Sequence, residues 1–543
     1  MNSLLSALIG VAFTALLAVA FTARFWPRRQ VRYGVMAGRI AAALGLIVAF
    51  VACLAVAIDG SIVVPLVEWA GWGLTLRFDP LSVTMLGLVS FVGVVIVRFS
   101  THYLAGDPRQ AVFVGRLCLT LAGVSQLVLA GNLLHLGLAW VATSLALQRL
   151  LLFYPERPRA RQAARKKFFI ARASDVCLLG ALIALGMIAP SADLGELSAR
   201  MQGWAEQGTT PVALHLAAVA LVLAACFKSA QVPAHGWLVD VVETPTPVSA
   251  LLHAGLINAG GFLVIRLADV VVLSGPAMTT LVVVGGVTAV VGSLVMLTQT
   301  RVKNVLAYST VAQMGFMLLQ CGLGAFFAAL IHLVAHSLYK AHAFLSSGSA
   351  VQIWRARPPQ EASSSVHGGL RLAVSMLVAA AIFVGVGRLW GFSVDHEPGV
   401  FVLGGVLALA LAMWLAEALP TRRPLGTSVS RSVVMLAGML GAVTGIAALY
   451  FSLQALARLL YGELLPAPST LPLGALIAGA LALVAFTAVV LLQWSLPRAP
   501  TSSWWIAAYV RVKNGFDLDT RIDQWLRSLS RPRSRPSSSS APY

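Results

Sequence analysis

Fifteen times along this chain of 543 residues, an apolar run of about 20 residues with few or no charges is bounded by polar or basic residues. That is the length an α-helix needs to cross the hydrocarbon of a bilayer. The runs fall at 4–23, 35–57, 80–100, 111–130, 132–153, 168–189, 212–231, 248–272, 277–297, 304–322, 325–350, 370–387, 399–419, 433–457 and 472–494. Hydrophobic residues make up 58% of the chain and charged residues 11%, too few to cover a water-facing surface. The composition excludes a soluble enzyme, a nucleic-acid-binding protein and a disordered chain. It implies an all-α polytopic membrane protein of about fifteen transmembrane helices.

The net charge of +19 reads as topology, because the basic residues sit in alternate loops. Arg24, Arg28, Arg29 and Arg32 follow the first run. YPERPRARQAARKK, ending in Lys166 and Lys167, follows the fifth. Arg301 with Lys303, Arg355 with Arg357, and Arg422 with Arg423 and Arg431 continue the series. Asp59, Glu68, Asp193, Glu196, Glu206, Asp395 and Glu397 lie in the intervening loops. Fifteen spans place every strongly basic loop on one side, with the N-terminus expected outside and the C-terminus cytoplasmic. The first run lacks a basic leader, so it reads as a retained span. The segment 500–526, which contains SSWWIAAYVRVKNGFDLDTRIDQWL, is expected to lie at the membrane surface, and the serine-rich end beyond it to be disordered. The five cysteines all lie in apolar runs and show no CxxC or CxxH spacing, so they read as small buried hydrophobes.

Ionisable residues inside apolar runs cost several kcal/mol each and are functional candidates by default. In ALIHLVAHSLYKAHAF, His332, His336 and Lys340 recur at i, i+4 and i+8, on one helix face. Three titratable groups in line suit a proton relay, and hydrogen bonding between helices is the structural alternative. A metal site lacks a third ligand, and Leu333 rather than a glutamate follows His332. Lys228 ends an apolar run five residues before Pro233. A proline break at membrane depth is tolerated where the backbone lines a cavity, which points to an interior lysine rather than a snorkelling one. His253 follows Pro245 and Pro247 by a short interval and precedes Asn258 and two glycines. It reads either as a pathway residue or as a hydrogen-bonded core histidine. Arg172 and Asp175, at i and i+3, can pair on one face, as a structural ion pair or as part of a relay.

KSAQVPAHGWLVDVVETPTPVSALLHAG, VKNVLAYSTVAQMGFM and IHLVAHSLYKAHAFLSSGS resemble the proton-translocating, antiporter-like subunits of respiratory complex I and of Mrp antiporters, over residues 79–350. The resemblance implies two inverted five-helix repeats with broken helices. It also implies proton-path roles for Lys228, His253, Lys303, His332, His336 and Lys340. It divides the chain into N-terminal helices (1–78), an antiporter-like core (79–350), C-terminal helices (351–497) and a cytoplasmic tail (498–543). Where those subunits carry a glutamate after Gly-Trp, this chain reads NLLHLGLAWVATSL, with Val141 after Trp140. No long lateral helix like theirs is expected from the sequence as it stands.

LLHAGLINAGGFLVIRLADV and YVRVKNGFDLDTRIDQWL resemble a particular branch, the DabB-type membrane subunits of two-part DAB inorganic-carbon uptake systems. That resemblance implies a partner, a DabA-like zinc protein related to β-carbonic anhydrases, which hydrates carbon dioxide to bicarbonate at the expense of the proton gradient. The zinc belongs to the partner, and no cofactor is expected in this chain. Its own interactions are then with lipid, protons and the partner. The rival readings are a proton-pumping subunit of an NADH–quinone oxidoreductase or hydrogenase-type complex, and an Mrp-type Na⁺/H⁺ antiporter subunit.

Overall fold

The computed structural model describes residues 2–26, 31–69, 72–189, 191–349, 368–393, 397–418, 429–462, 464–468, 470–495 and 502–528. The serine-rich end expected to be disordered lies outside the described residues. So do the loop residues Arg28, Arg29, Arg355, Arg357, Asp395, Arg422 and Arg423.

The elements in order are α1 (Asn2–Thr22), α2 (Val31–Asp59), β1 (Ile62–Trp69), β2 (Trp72–Phe78), α3 (Pro80–Tyr103), α4 (Gln110–Val128), α5 (Leu133–Leu151), α6 (Pro158–Ile188) and α7 (Leu194–Gln207). Then come α8 (Val212–Lys228), α9 (Gly236–Asp240), α10 (Thr246–Ala254), α11 (Ala259–Arg266), α12 (Ala268–Val272), α13 (Gly275–Thr298), α14 (Val302–Gly322) and α15 (Phe326–Leu345). The last are α16 (Gly368–Leu389), α17 (Pro398–Ala418), α18 (Val429–Tyr461), α19 (Leu473–Ser495), α20 (Ser503–Lys513) and α21 (Leu518–Ser528).

Among the described residues, thirteen helical stretches are long and apolar enough to cross a membrane, the interrupted stretch Thr246–Arg266 counted as one. The other two expected spans fall on α8, a shorter apolar helix of 17 residues, and on α15, where three histidines and a lysine dilute the apolar run. Exposed apolar side chains form lipid-facing stripes at helical spacing, such as Val176, Leu179, Ile183 and Met187 on α6. The protein is a multi-pass membrane protein.

Three elements depart from the sequence expectation. The stretch between α2 and α3 is an antiparallel hairpin, with Ile62 paired to Phe78 and Val64 to Leu76. Its second strand extends onto the α4–α5 connection, where the Arg77 amide donates to the Leu129 carbonyl and Gly131 to Thr75, both at 2.8 Å. The basic stretch after the fifth run is largely the first turns of α6, and both Lys166 and Lys167 are buried. The run 248–272 is not one helix. It breaks at Gly255–Asn258 and again near Leu267.

The break anticipated at Pro233 is present. Helix α8 stops at Lys228 and the chain resumes as α9 at Gly236. Ala230 turns it through the left-handed region, at φ 50. The freed backbone groups find partners, as buried polar groups in a membrane must. Gln231 N donates to the Cys226 carbonyl at 3.1 Å, and Val232 N donates to Thr288 Oγ1 at 3.0 Å. Ser229 Oγ donates at 3.1 Å to the carbonyl of Ile257, so the two interrupted helices join at their interruptions. Gly260 permits this approach, because a Cβ there would overlap Ser229 Oγ and crowd the Ala225 carbonyl.

At the hairpin end, Asp79 caps α3 by accepting from Ser82 N at 2.8 Å. It also pairs with Arg266 at 2.6 Å and with Arg77 at 3.0 Å, and is fully buried. Burial alone would raise the Asp79 carboxyl. The attraction and hydrogen bonding of Arg266, the Ser82 amide and Arg77 outweigh it and hold the group well below the usual carboxylate range. A depressed carboxyl contributes stability that is fully present above its unfolded pKa, about 3.9, and is lost only as the pH falls below it. Unfolding in detergent is therefore expected to show this contribution intact from pH 8 to pH 5 and fading below about pH 4. Arg266→Ala, which strands a buried carboxylate, is expected to cost about 3–5 kcal/mol at neutral pH, with a matching fall in melting temperature.

Candidate functional site

Two buried lysines of the core, Lys228 and Lys340, share one docking pattern. Lys228 Nζ donates to Ser144 Oγ at 2.8 Å and to the Trp140 carbonyl at 3.4 Å, and lies 4.3 Å from the Trp140 ring centroid. Lys340 Nζ donates to Ser309 Oγ at 2.8 Å and to the Leu306 carbonyl at 3.1 Å. In each case a lysine reaches a serine hydroxyl and a carbonyl about one turn away on a neighbouring helix, α5 for Lys228 and α14 for Lys340. Hydroxyls and carbonyls accept from an ammonium without bringing a charge that would fix the proton in place. A lysine held this way can exchange its proton.

A second lysine joins the first. Lys167 Nζ donates to the Ser144 carbonyl at 2.7 Å, so both lysines converge on one residue of α5. Sequence patterning places Lys167 in a loop because it ends a basic run. The signal that would have placed it inside is the continuation of the helical pattern from Pro158. A small cavity lined by Ser144, Lys167, Lys228 and Trp237 lies beside the pair. The negative charge that balances them comes from α6. Asp175 pairs with Arg172 at 2.6 Å and lies within electrostatic reach of Lys228 and Lys167. Position 141 holds valine. The carboxylate facing Lys228 therefore comes from Asp175, one helix over from the position where the family pattern puts a glutamate.

His253, on α10, is fully buried and stacks on Phe344 of α15, with centroids 4.3 Å apart and planes 20° apart. Its electrostatic neighbour is Lys340. His336 stands among His332, Lys340 and His253, and its ring centroid is 6.1 Å from that of His332. Among the described residues, neither ring nitrogen of His253 or of His336 has a protein hydrogen-bond partner. A structural histidine would be expected to have one, since a buried unpaired polar group costs about 1–3 kcal/mol. His332, half-buried, meets Gln320 Oε1 at 2.8 Å through Nδ1, the interhelical bond of the structural alternative. Lys303 Nζ donates to Thr246 Oγ1 at 3.0 Å, at the start of α10.

The structure thus brings His253, His332, His336 and Lys340 into one cluster. It gathers Lys228, Lys167, Asp175 and Arg172 into another, with Lys303 at the mouth of α10. Pro233 lies in the break that starts at Lys228. Among the described residues, no group of three His, Cys, Asp or Glu side chains gathers as a metal site.

A family model described as the transmembrane part of NADH:quinone oxidoreductase/Mrp antiporters matches residues 130–392. A second, described as the N-terminus of complex I chain 5, matches residues 71–114. The probable inorganic carbon transporter subunit DabB2 of Halothiobacillus neapolitanus is 39% identical over 460 residues, 84% of this chain and 81% of that one. NADH-quinone oxidoreductase subunit L of Mycobacterium tuberculosis is 34% identical over 339 residues, 62% of this chain and 52% of that one. Among solved structures, the Mrp complex of Dietzia sp. superposes with a TM-score of 0.58 at 23% identity, covering 96% of this chain and 57% of that one. That likeness shows the fold, the antiporter-like arrangement expected from the sequence.

The clustering of three cations around Asp175 has a direct consequence. Asp175→Asn is expected to destabilise the protein by about 3 kcal/mol, because Lys228, Lys167 and Arg172 lose their counter-charge. Asp175→Asn combined with Lys228→Gln is expected to recover at least half of that loss. Thermal unfolding of the four species in a double-mutant cycle measures the coupling.

Proposed function

Because the chain belongs to the antiporter-like family of membrane subunits that includes the DabB-type inorganic carbon transporter subunits, we propose that it is the proton-conducting subunit of an inorganic-carbon uptake complex. The observation that carries this reading is the series of buried titratable side chains held by neutral acceptors or by none: Lys228, His253, His336 and Lys340. Lys303 and His332 extend the path toward its two ends. Arg172 and Asp175 set the charge at Lys228, and the break at Pro233 opens the backbone beside it.

The chain works as a transporter subunit, with the carbon chemistry in a DabA-like zinc protein docked on the cytoplasmic face. That face carries the start of α6 and the tail, and the N-terminus lies outside the bacterial inner membrane. Protons moving inward through this chain drive hydration of carbon dioxide toward bicarbonate in the partner. One charge moved down 100 mV releases about 2.3 kcal/mol, and each pH unit adds about 1.4 kcal/mol. Either suffices to bias a reversible hydration by tenfold or more. The oxidoreductase reading draws less support, since the match to subunit L is 34% identical over 339 residues against 39% over 460 for DabB2.

Two outcomes are expected. Inorganic-carbon accumulation collapses in wild-type cells treated with a protonophore, and is already low in Lys228→Ala and His336→Ala cells that hold normal amounts of the protein. Accumulation that survives the protonophore but fails on ATP depletion would remove the proton-driven reading. In a host without carbonic anhydrase, growth in air is rescued only when the chain is expressed together with its zinc partner. Rescue by this chain alone would overturn the two-part assignment.

A further inference from the structure

Lys166 is buried at the tail-side end of α6, with its side chain 1% exposed. Its ammonium lies 2.7 Å from Asp240 Oδ2, and 2.8 and 2.9 Å from Asp519 Oδ1 and Oδ2. Asp240 ends α9, the helix that resumes after the break. Asp519 sits in the first turn of α21, in the tail, 353 residues along the chain from the lysine it holds. The two carboxylate side chains are 31% and 30% exposed. Solvent therefore reaches the acids, while the lysine behind them is buried.

The tail is fitted to this place. The Asp519 carboxylate covers Gly236, where any Cβ would overlap it. Gln299 Nε2 donates to the Lys513 carbonyl at 3.1 Å, and Gly515 packs beside the Tyr308 hydroxyl. The segment expected at the membrane surface makes these contacts with the protein over the broken helix. His235, the last residue of the break, is buried in the field of both Asp519 and Lys166, with its ring centroid 6.1 Å from that of Tyr308. Lys228 is the residue at the other end of the same break. The groups facing the cluster are Lys166 of α6, His235 before α9 and Asp240 at its end, Tyr308 of α14, and Asp519 of the tail.

We propose that Asp519, Lys166 and Asp240 form the site at which the proton path exchanges protons with bulk solvent on the tail side, with the tail supplying the third member. This inference rests on the proton-conducting reading above. A solvent-exposed carboxylate picks up or releases the proton, and His235 at the end of the break passes it between this cluster and Lys228. The tail is then part of the conducting machinery and not only a strap.

The test uses the complex of this chain with its zinc partner in liposomes, tail side outward, with flux read by a trapped pH-sensitive dye. Asp519→Asn is expected to lower proton flux about tenfold, less than the roughly 10²-fold of a lone proton-transfer group because Asp240 remains. Raising the concentration of imidazole buffer outside should restore Asp519→Asn flux toward wild type, since a diffusible base replaces the lost carboxylate. Asp519→Glu should keep at least half of the wild-type flux. A structural lesion does not respond to buffer, so low Asp519→Asn flux that imidazole leaves unchanged overturns the proposal. Asp519→Asn flux within twofold of wild type overturns it as well. Wild-type complex that conducts no protons defeats the underlying functional reading instead, before any variant is compared.

Discussion

A helix that ends inside the membrane at Lys228 is the constraint around which the rest of this structure is arranged. Hydrocarbon offers no hydrogen bonds, so each backbone group released between Lys228 and Gly236 has to be met by protein. Thr288 of α13 meets the Val232 amide and the Cys226 carbonyl meets the Gln231 amide, while the Ser229 hydroxyl donates to the carbonyl of Ile257. The bond to Ile257 ties this break to the break in the next span, and Gly260 is what lets the two approach. Lys228 itself closes α8, where a cation is favoured by the carbonyl end of the helix. The same interruption that exposes polar backbone thus also gives the lysine a reason to stay.

Charges in this apolar body are handled in two ways. At the ends of the helices they are paired. Asp79 holds Arg266 and Arg77 under the hairpin, and Lys166 holds Asp240 and Asp519 at the opposite end of the path. In the middle they are not paired one to one. Lys228, Lys167 and Lys340 bond to serines and carbonyls, and His253 and His336 bond to no protein group among the described residues. Paired charges resist movement because separating them leaves a desolvated ion. Groups with neutral partners have no such lock on their protonation state. The contrast sets the fully buried Asp79 pairs, which staple the fold, apart from the groups of the proposed path, whose tail-side end is the partly exposed acids around Lys166.

Asp175 sits between the two classes. It is paired with Arg172, yet its charge also acts on Lys228 and Lys167. In a chain with valine at 141, this is the carboxylate that faces the broken-helix lysine. The structure shows Arg172 and Asp175 as an ion pair whose charges also reach Lys228, and any relay role for them belongs to the proposed path.

Much of this was legible in the residues alone. Hydropathy marks the spans because burial in lipid is a property of a local run. Proline at 233 marks the break because a missing amide is local too. The line of His332, His336 and Lys340 follows from helical periodicity, which needs only the sequence of α15. What the tertiary structure decided is which distant groups meet. Lys166 and Lys167 look alike in a basic run, but one turns outward to Asp519 and Asp240 and the other inward to Ser144. The hairpin, the Asp79–Arg266 pair and the seating of the tail on Gly236 likewise join segments far apart in the chain. Periodicity and hydropathy act over one or two helical turns. The partner of a buried charge is set by which helices pack side by side, and only the folded chain fixes that.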